Sequence, residues 1–115
     1  MSDLIWTPAV ELARAVRDGE LSSKEITQAF LERSKEVNDA LGAYLEVSDE
    51  QALEQAEAAD ERRGSNQSSS SIDGVPIAYK DVFSTKGVPT TAGSRILEGF
   101  TPPYDSTVVA RGHVA

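Results

Sequence analysis

Serine, lysine and carboxylates are the groups in this sequence with which bond-making chemistry could be done. Cysteine is absent, which excludes disulfides, thiolate catalysis and thiolate-held metals. The one histidine, His113, is the third residue from the end, so a His-based triad or a His-rich metal site has little to stand on, and His113 reads as incidental. Four serines run together at Ser68–Ser71. No glycine-framed turn, helix dipole or base accompanies them, so they read as solvated loop and not as a nucleophile. Lys80 ends an otherwise apolar stretch, Val75-Pro76-Ile77-Ala78-Tyr79. In a strand, alternation would place Pro76, Ala78 and Lys80 on one face and Val75, Ile77 and Tyr79 on the other. A lysine desolvated at such a point loses basicity, and a neutral lysine can act as a general base. On residue types alone, a strand-end lysine paired with Asp81 or pointing at solvent describes Lys80 better.

The elements that must position these groups fall into two parts. The chain has 115 residues, which suits one domain at most. Residues 1–64 carry 15 acids and 7 bases, whereas residues 65–115 carry 4 of each, so the net charge of −8 belongs to the first part. Such an acidic chain lacks the clustered Lys and Arg that nucleic acids or anionic membranes require. No apolar run approaches the ~18 residues of a membrane span. The start, MSDLIWTP, does not read as a signal peptide. A cytoplasmic place is expected.

The first part, residues 1–64, reads as a helical segment. Thr7 is the expected N-cap of a first helix, with Pro8 at its first position, an apolar stripe of Val10, Leu12, Ala13 and Val16, and Gly19 as the stop. Ser22 and Glu25 form a capping box, flanked by Leu21 and Ile26 as a hydrophobic staple. Ile26, Ala29, Phe30 and Val37 share one face of a helix expected to end near Asn38. Residues 43–47 look like a short strand, and Ser48 with Gln51 like a second capping box. Ala52, Ala56 and Ala59 then make a narrow face, suited to close packing, on a helix that Gly64 closes. Residues 65–71 read as a Ser-rich flexible loop. Beyond it, Asp73-Gly74 signals a turn and residues 75–81 a strand. Ser94 can cap a short helix over residues 95–98, Pro102-Pro103 forces extended chain, and Asp105 can cap a last helix with Val108 and Val109 facing inward. Gly112 within that helix costs ~1 kcal/mol against alanine. Trp6, Tyr44 and Phe100 read as core or interface apolars.

The segment Asp73-Gly74-Val75-Pro76-Ile77-Ala78-Tyr79-Lys80-Asp81-Val82-Phe83 resembles the first motif of the amidase signature family. Thr85 to Arg95, with its Thr-Thr-Ala-Gly-Ser string, and Pro102 to Val109 continue the likeness. Ala13, Gly19, Leu21, Ser22, Ser23, Glu25 and the Ala-rich helix after Tyr44 extend it to nearly the whole chain, up to about residue 110. Within the family the chain most resembles the amide-hydrolysing A subunits of tRNA-dependent amidotransferases. The resemblance implies an α/β fold, the N-terminal helices and first strands of an α/β/α sandwich with a mixed sheet, incomplete in this chain. It divides the sequence into a helical segment (1–64), the loop (65–71) and the start of the amidase core (72–115).

The resemblance also implies a mechanism. The family uses a Ser–cis-Ser–Lys triad, and Lys80 stands at the position of its lysine. Held neutral, that lysine takes the proton of a bridging serine and so activates the nucleophilic serine, which attacks the glutamine side-chain amide. B and C subunits are the implied partners. The B subunit uses ATP and Mg²⁺ to turn Glu-tRNA(Gln) into Gln-tRNA(Gln), and tRNA is met mainly through it. This chain itself is expected to hold no cofactor and no metal. Two departures stand beside the likeness. The family's serines lie in a Gly-Ser-rich segment several tens of residues after the lysine, whereas this sequence gives 35 residues after Lys80. Where the family continues a Leu- and Ala-rich helix, this sequence has Gly112-His113-Val114-Ala115, which reads like a truncated or frame-shifted frame. A fragment of another amidase-signature amide hydrolase, a non-catalytic interaction module and a truncated product therefore stay open as alternatives. Asp81 and Lys86 read as structural.

Overall fold

The computed structural model describes residues 3–115 and divides them by Cα proximity into two units, one extending to Pro76 and one covering Ile77–Val114.

The first unit is three helices. A 3₁₀ turn, Leu4–Trp6, leads to α1 (Ala9–Asp18), α2 (Ser23–Leu41) and α3 (Asp49–Gly64). The N-cap of α1 is Pro8, one residue later than expected, because Thr7 closes the 3₁₀ turn and donates its hydroxyl to the Asp3 carbonyl at 3.1 Å. Leu12, Ala13 and Val16 are buried as the stripe predicts, whereas Val10 is 78% exposed. At 100° per residue Val10 lies about 200° from Leu12, off the buried face. Left-handed Gly19 ends α1, as expected.

The start of α2 shows why a helix begins where it does. The Ser22–Glu25 box forms in both directions, with Glu25 N–H donating to Ser22 Oγ at 3.0 Å and Ser22 N–H to Glu25 Oε2 at 2.9 Å. The two N–H groups between them donate to one carboxylate on α3, Ser23 to Asp60 Oδ1 at 2.8 Å and Lys24 to Asp60 Oδ2 at 3.1 Å. Every orphan donor of the first turn is thereby paired. The Ile26 side chain just beyond is fully buried and forms the core with Leu12 and Val16, against which Leu4, Leu21 and Phe30 pack. The helix runs past Asn38 to Leu41, and Gly42 ends it in the left-handed region. Asn38 keeps a different role. Its side-chain amide donates to the Tyr44 carbonyl at 2.9 Å and accepts from the Tyr44 N–H at 2.8 Å, which fixes the connection to α3.

That clamp replaces the short strand expected over residues 43–47, which form no strand. Ser48 does precede α3, but its hydroxyl makes no cap, so the second capping box is absent. Asp49 and Glu50 in the first turn supply the favourable charge instead. Ala56 and Ala59 are each 4% exposed, and α3 packs along α2 as the narrow alanine face predicts. Gly64 is the last helical residue, and the left-handed residue past the helix is Asn66. Residues 64–71 are exposed.

The second unit is mostly irregular. It holds a 3₁₀ turn, Arg95–Leu97, and a short helix α4, Thr107–His113. Among the described residues there is no strand, so the strand expected over residues 75–81 is corrected. A strand exists only through a neighbour that takes up its backbone groups, and residues 77–79 enter no backbone hydrogen bond among the described residues. The expected alternation fails with it, since Ile77 and Ala78 are both exposed. Cross-connections hold the unit instead: Gly87 N–H to Pro102 O at 3.1 Å, Thr90 N–H to Phe100 O at 3.1 Å and Ser106 N–H to Ser84 O at 2.8 Å. Ser94 caps the 3₁₀ turn as expected. The cap of α4 is Ser106, because Asp105 is engaged by the Lys86 N–H at 2.7 Å. Val109 is fully buried and Val108 is 48% exposed, since neighbours on a helix point about 100° apart.

Candidate functional site

The turn before the motif is built first, and it is built on the helices. Gly74 has φ +89°, and a Cβ there would meet Ser23 Cβ at 3.1 Å and Val16 Cγ1 at 3.2 Å. The close approach lets buried Ser23 donate its hydroxyl to the Gly74 carbonyl at 2.7 Å. Asp73, with a side chain only 7% exposed, accepts from Arg62 Nε at 3.0 Å and Nη2 at 2.6 Å. Its Oδ2 also accepts from the Ser69 N–H at 2.9 Å, which ties the serine-rich loop to the turn. The Arg62 hydrogen bonds hold the Asp73 carboxyl below its ordinary value, against a smaller opposing push from burial. The Asp-Gly signal is thus a three-way junction of α2, α3 and the chain entering the motif.

In the second unit, Lys80 is exposed and has no ion pair among the described residues. Of the two sequence readings, pointing at solvent describes it and pairing with Asp81 does not. The carboxylate of Asp81 turns instead to the Thr-Thr-Ala-Gly loop. Its Oδ2 accepts from Thr91 Oγ1 at 2.6 Å, Thr91 N–H at 3.1 Å and Gly93 N–H at 3.4 Å. Its backbone carbonyl accepts from the Ala92 N–H at 2.9 Å. Partial burial pushes the Asp81 carboxyl up, but these donors together outweigh it and hold it below its ordinary value. Consecutive left-handed residues, Ala92 at φ 52° and Gly93 at φ 68°, turn the loop so that the Ala92 N–H meets the Asp81 backbone carbonyl and the Gly93 N–H its carboxylate. Thr90 is buried and ties the far side of the loop, accepting from Thr85 N–H and donating to Val88 O.

On the other side of Lys80, a Cβ on Gly112 would overlap the Tyr79 hydroxyl, so the glycine makes room for that ring. Burial, followed by the charge of Asp105, raises the Tyr79 hydroxyl. His113 and Lys86 are exposed. Trp6, Tyr44 and Phe100 are exposed by 78%, 39% and 40% and so are not core residues. Ser68–Ser71 are exposed on the loop. Among the described residues, no three His, Asp or Glu side chains gather as a metal site, and no helix is long and apolar enough to cross a membrane. Sequence reasoning misses Asp60 as a receiver of backbone donors, and it reads Asp81 as structural, hydrogen-bonding its neighbourhood, without naming the loop it holds. Only the adjacency of Asp81 to an apolar stretch followed by a Thr-Thr-Ala-Gly loop hints at that contact.

A helical unit with a pinned Asp-Gly turn is thus followed by an exposed lysine and an aspartate whose carboxylate holds the Thr-Ala-Gly loop. The chain belongs to the Amidase family, whose model matches residues 25–113. It is 52% identical over 111 residues to the A subunit of the glutamyl-tRNA(Gln) amidotransferase of Salinispora arenicola, covering 96% of this chain and 23% of that one. It is 49% identical to the corresponding A subunit of Thermobifida fusca, covering 96% and 22%. The matches lie in the N-terminal portion of those proteins, so the chain spans about a quarter of the length of the curated relatives it matches. Among solved structures, one described as "An unexpected vestigial protein complex reveals the evolutionary origins of an s-triazine catabolic enzyme. Inhibitor bound complex." superposes with a TM-score of 0.89 at 26% identity, covering 95% of this chain and 24% of that one.

Proposed function

We propose that this chain is the N-terminal part of the amide-hydrolysing A subunit of a tRNA-dependent amidotransferase, with Lys80 as its general base. The observation that carries the reading is the 52% identity to such an A subunit over 96% of the chain. An exposed lysine without an ion pair, next to an aspartate already engaged elsewhere, supports it, because a base must be free to meet its proton donor. In the full-length protein, the segment around residues 75–81 joins a mixed sheet in an α/β/α sandwich, and the surrounding chain desolvates Lys80. The neutral Nζ accepts the proton of a bridging serine, which in turn takes the proton of the nucleophilic serine. That serine attacks the glutamine side-chain amide, ammonia leaves, and water hydrolyses the acyl-enzyme. Both serines belong to the Gly-Ser-rich segment of the family, so the 115-residue chain alone is inactive in this reading.

The ammonia is passed to a B subunit, which holds ATP and Mg²⁺ and converts Glu-tRNA(Gln) to Gln-tRNA(Gln). A C subunit joins the two, and the work is cytoplasmic. Hydrolysis of another amide is the second reading, since a solved structure that shares the fold at a TM-score of 0.89 is described by the origins of an s-triazine catabolic enzyme and not by glutamine. The test is a full-length A subunit from Salinispora arenicola in which the matched stretch is exchanged for that of this chain, assembled with its partners. We expect ammonia release from glutamine and glutamine-dependent formation of Gln-tRNA(Gln), with no ammonia from the isolated chain. A chimera that hydrolyses other amides and ignores glutamine establishes the second reading.

A further inference from the structure

We propose that Asp81 is a positioning residue for Lys80, acting through the Thr91–Gly93 loop that its carboxylate holds; the proposal rests on the reading of Lys80 as the base. Three donors converge on a single oxygen, Oδ2: Thr91 Oγ1, Thr91 N–H and Gly93 N–H. The backbone carbonyl of Asp81 takes the Ala92 N–H as well, so one residue receives four hydrogen bonds from three consecutive loop residues. The loop is held in a conformation it would not adopt freely, since Ala92 is a non-glycine residue at φ 52°. Immediately before Asp81, the Lys80 carbonyl accepts from the Phe83 N–H at 3.0 Å. The backbone just past Lys80 is therefore held twice, by the turn that its own carbonyl closes and by the Asp81 bonds to the loop, while the Lys80 side chain is exposed. A long, flexible lysine side chain needs such a fixed root to place its nitrogen within the tolerance that proton transfer demands.

The arrangement separates charge from geometry. Because all three side-chain bonds end on Oδ2, an asparagine with its oxygen at that position keeps every one of them and loses only the negative charge. Alanine loses all three, and Thr91→Val loses the shortest, at 2.6 Å. The experiment measures kcat and KM for glutamine, and the pH dependence of kcat/KM, in the assembled chimera. We expect Asp81→Ala to lower kcat roughly 10- to 100-fold with KM within about twofold of the parent. Thr91→Val should lower kcat about three- to tenfold. Asp81→Asn should stay within about fivefold of the parent, with the acidic limb of the pH profile unmoved. Lys80→Ala run beside them distinguishes the two levels of the argument. If Lys80→Ala retains activity, the assignment of the base fails. If Lys80→Ala is inactive but Asp81→Ala and Thr91→Val both turn over within about twofold of the parent, the positioning role fails. An acidic limb displaced in Asp81→Asn would overturn the geometric role in favour of a charge effect on Lys80. Should Asp81→Ala not assemble, the Thr91→Val and Asp81→Asn arms decide the matter alone.

Discussion

At Gly74 two requirements fall on one residue. Its φ of +89° is a conformation that L side chains rarely adopt, and its Cα faces Ser23 and Val16 closely enough that an added methyl sits at 3.1 to 3.2 Å from three atoms. Gly74→Ala is expected to destabilise the first unit by about 1–3 kcal/mol, read as a lower urea midpoint at unchanged slope. The Asp-Gly pair is legible in the sequence as a turn. Its partner is not, because Ser23 lies 51 residues earlier and nothing local announces the contact. Val10 and Val108 show the same boundary from the other side. Being apolar and near a buried valine or leucine suggests an inward place for each, and each is exposed because face is set by angle and not by neighbourhood. Lys80 stands out through motif resemblance, while residue types alone leave it either paired with Asp81 or pointing at solvent, and it is exposed.

Elements that close their own hydrogen bonds can be read from the sequence, and those that need a distant partner cannot. The Ser22–Glu25 box is a relation across three residues, so it is written in the sequence, and it forms. The Asp60 carboxylate that completes the same helix start comes from another helix, and no local pattern marks it. Ser22→Ala should cost about 1 kcal/mol of stability. Asp60→Ala should cost about 1–3 kcal/mol, because it strips the partner from the backbone N–H of Ser23, a residue 1% exposed. Thermal unfolding of the two variants, followed by helical circular dichroism, checks both. The strands expected over residues 43–47 and 75–81 fail for the complementary reason. Alternation describes a segment that could pair, and pairing is supplied by whatever lies beside it. Asn38 clamps the first segment as a loop, and the second has no ladder partner among the described residues.

For the molecule as a whole, the acid side of the stability curve follows from three carboxylates. Asp73, Asp81 and Glu25 all have folded values below their ordinary ones. A depressed carboxylate contributes stability that is complete above its unfolded value of about 4 and is lost as pH falls through the folded one. Stability should therefore be flat from about pH 5 to neutral pH and fall below about pH 4, which urea midpoints measured across that range would show. Arg62→Ala should remove the Asp73 share of that acid dependence and leave those of Asp81 and Glu25, since Arg62 is the main cause at Asp73 alone. Lys24 is raised by Glu57, so its small contribution persists until alkaline pH and disappears only above the ordinary lysine value. The −8 charge sits in the helical part, where Lys24–Glu57 and Lys35–Asp49 join α2 to α3 at the surface. Exposed ion pairs of this kind add little to stability. The second unit carries exposed apolar side chains, Ile96 at 92% and Tyr104 at 58% among them, on a family member that spans 23% of its relative.

The central claim is that this stretch supplies the base of an amidase, and replacement of Lys80 in the assembled chimera tests it most directly. Lys80→Met keeps the length and apolar stem of the side chain and removes the nitrogen, so ammonia release from glutamine should fall by about 10³-fold or more while Lys86→Met stays within about twofold of the parent. Ammonia release by Lys80→Met within about tenfold of the parent would contradict the account.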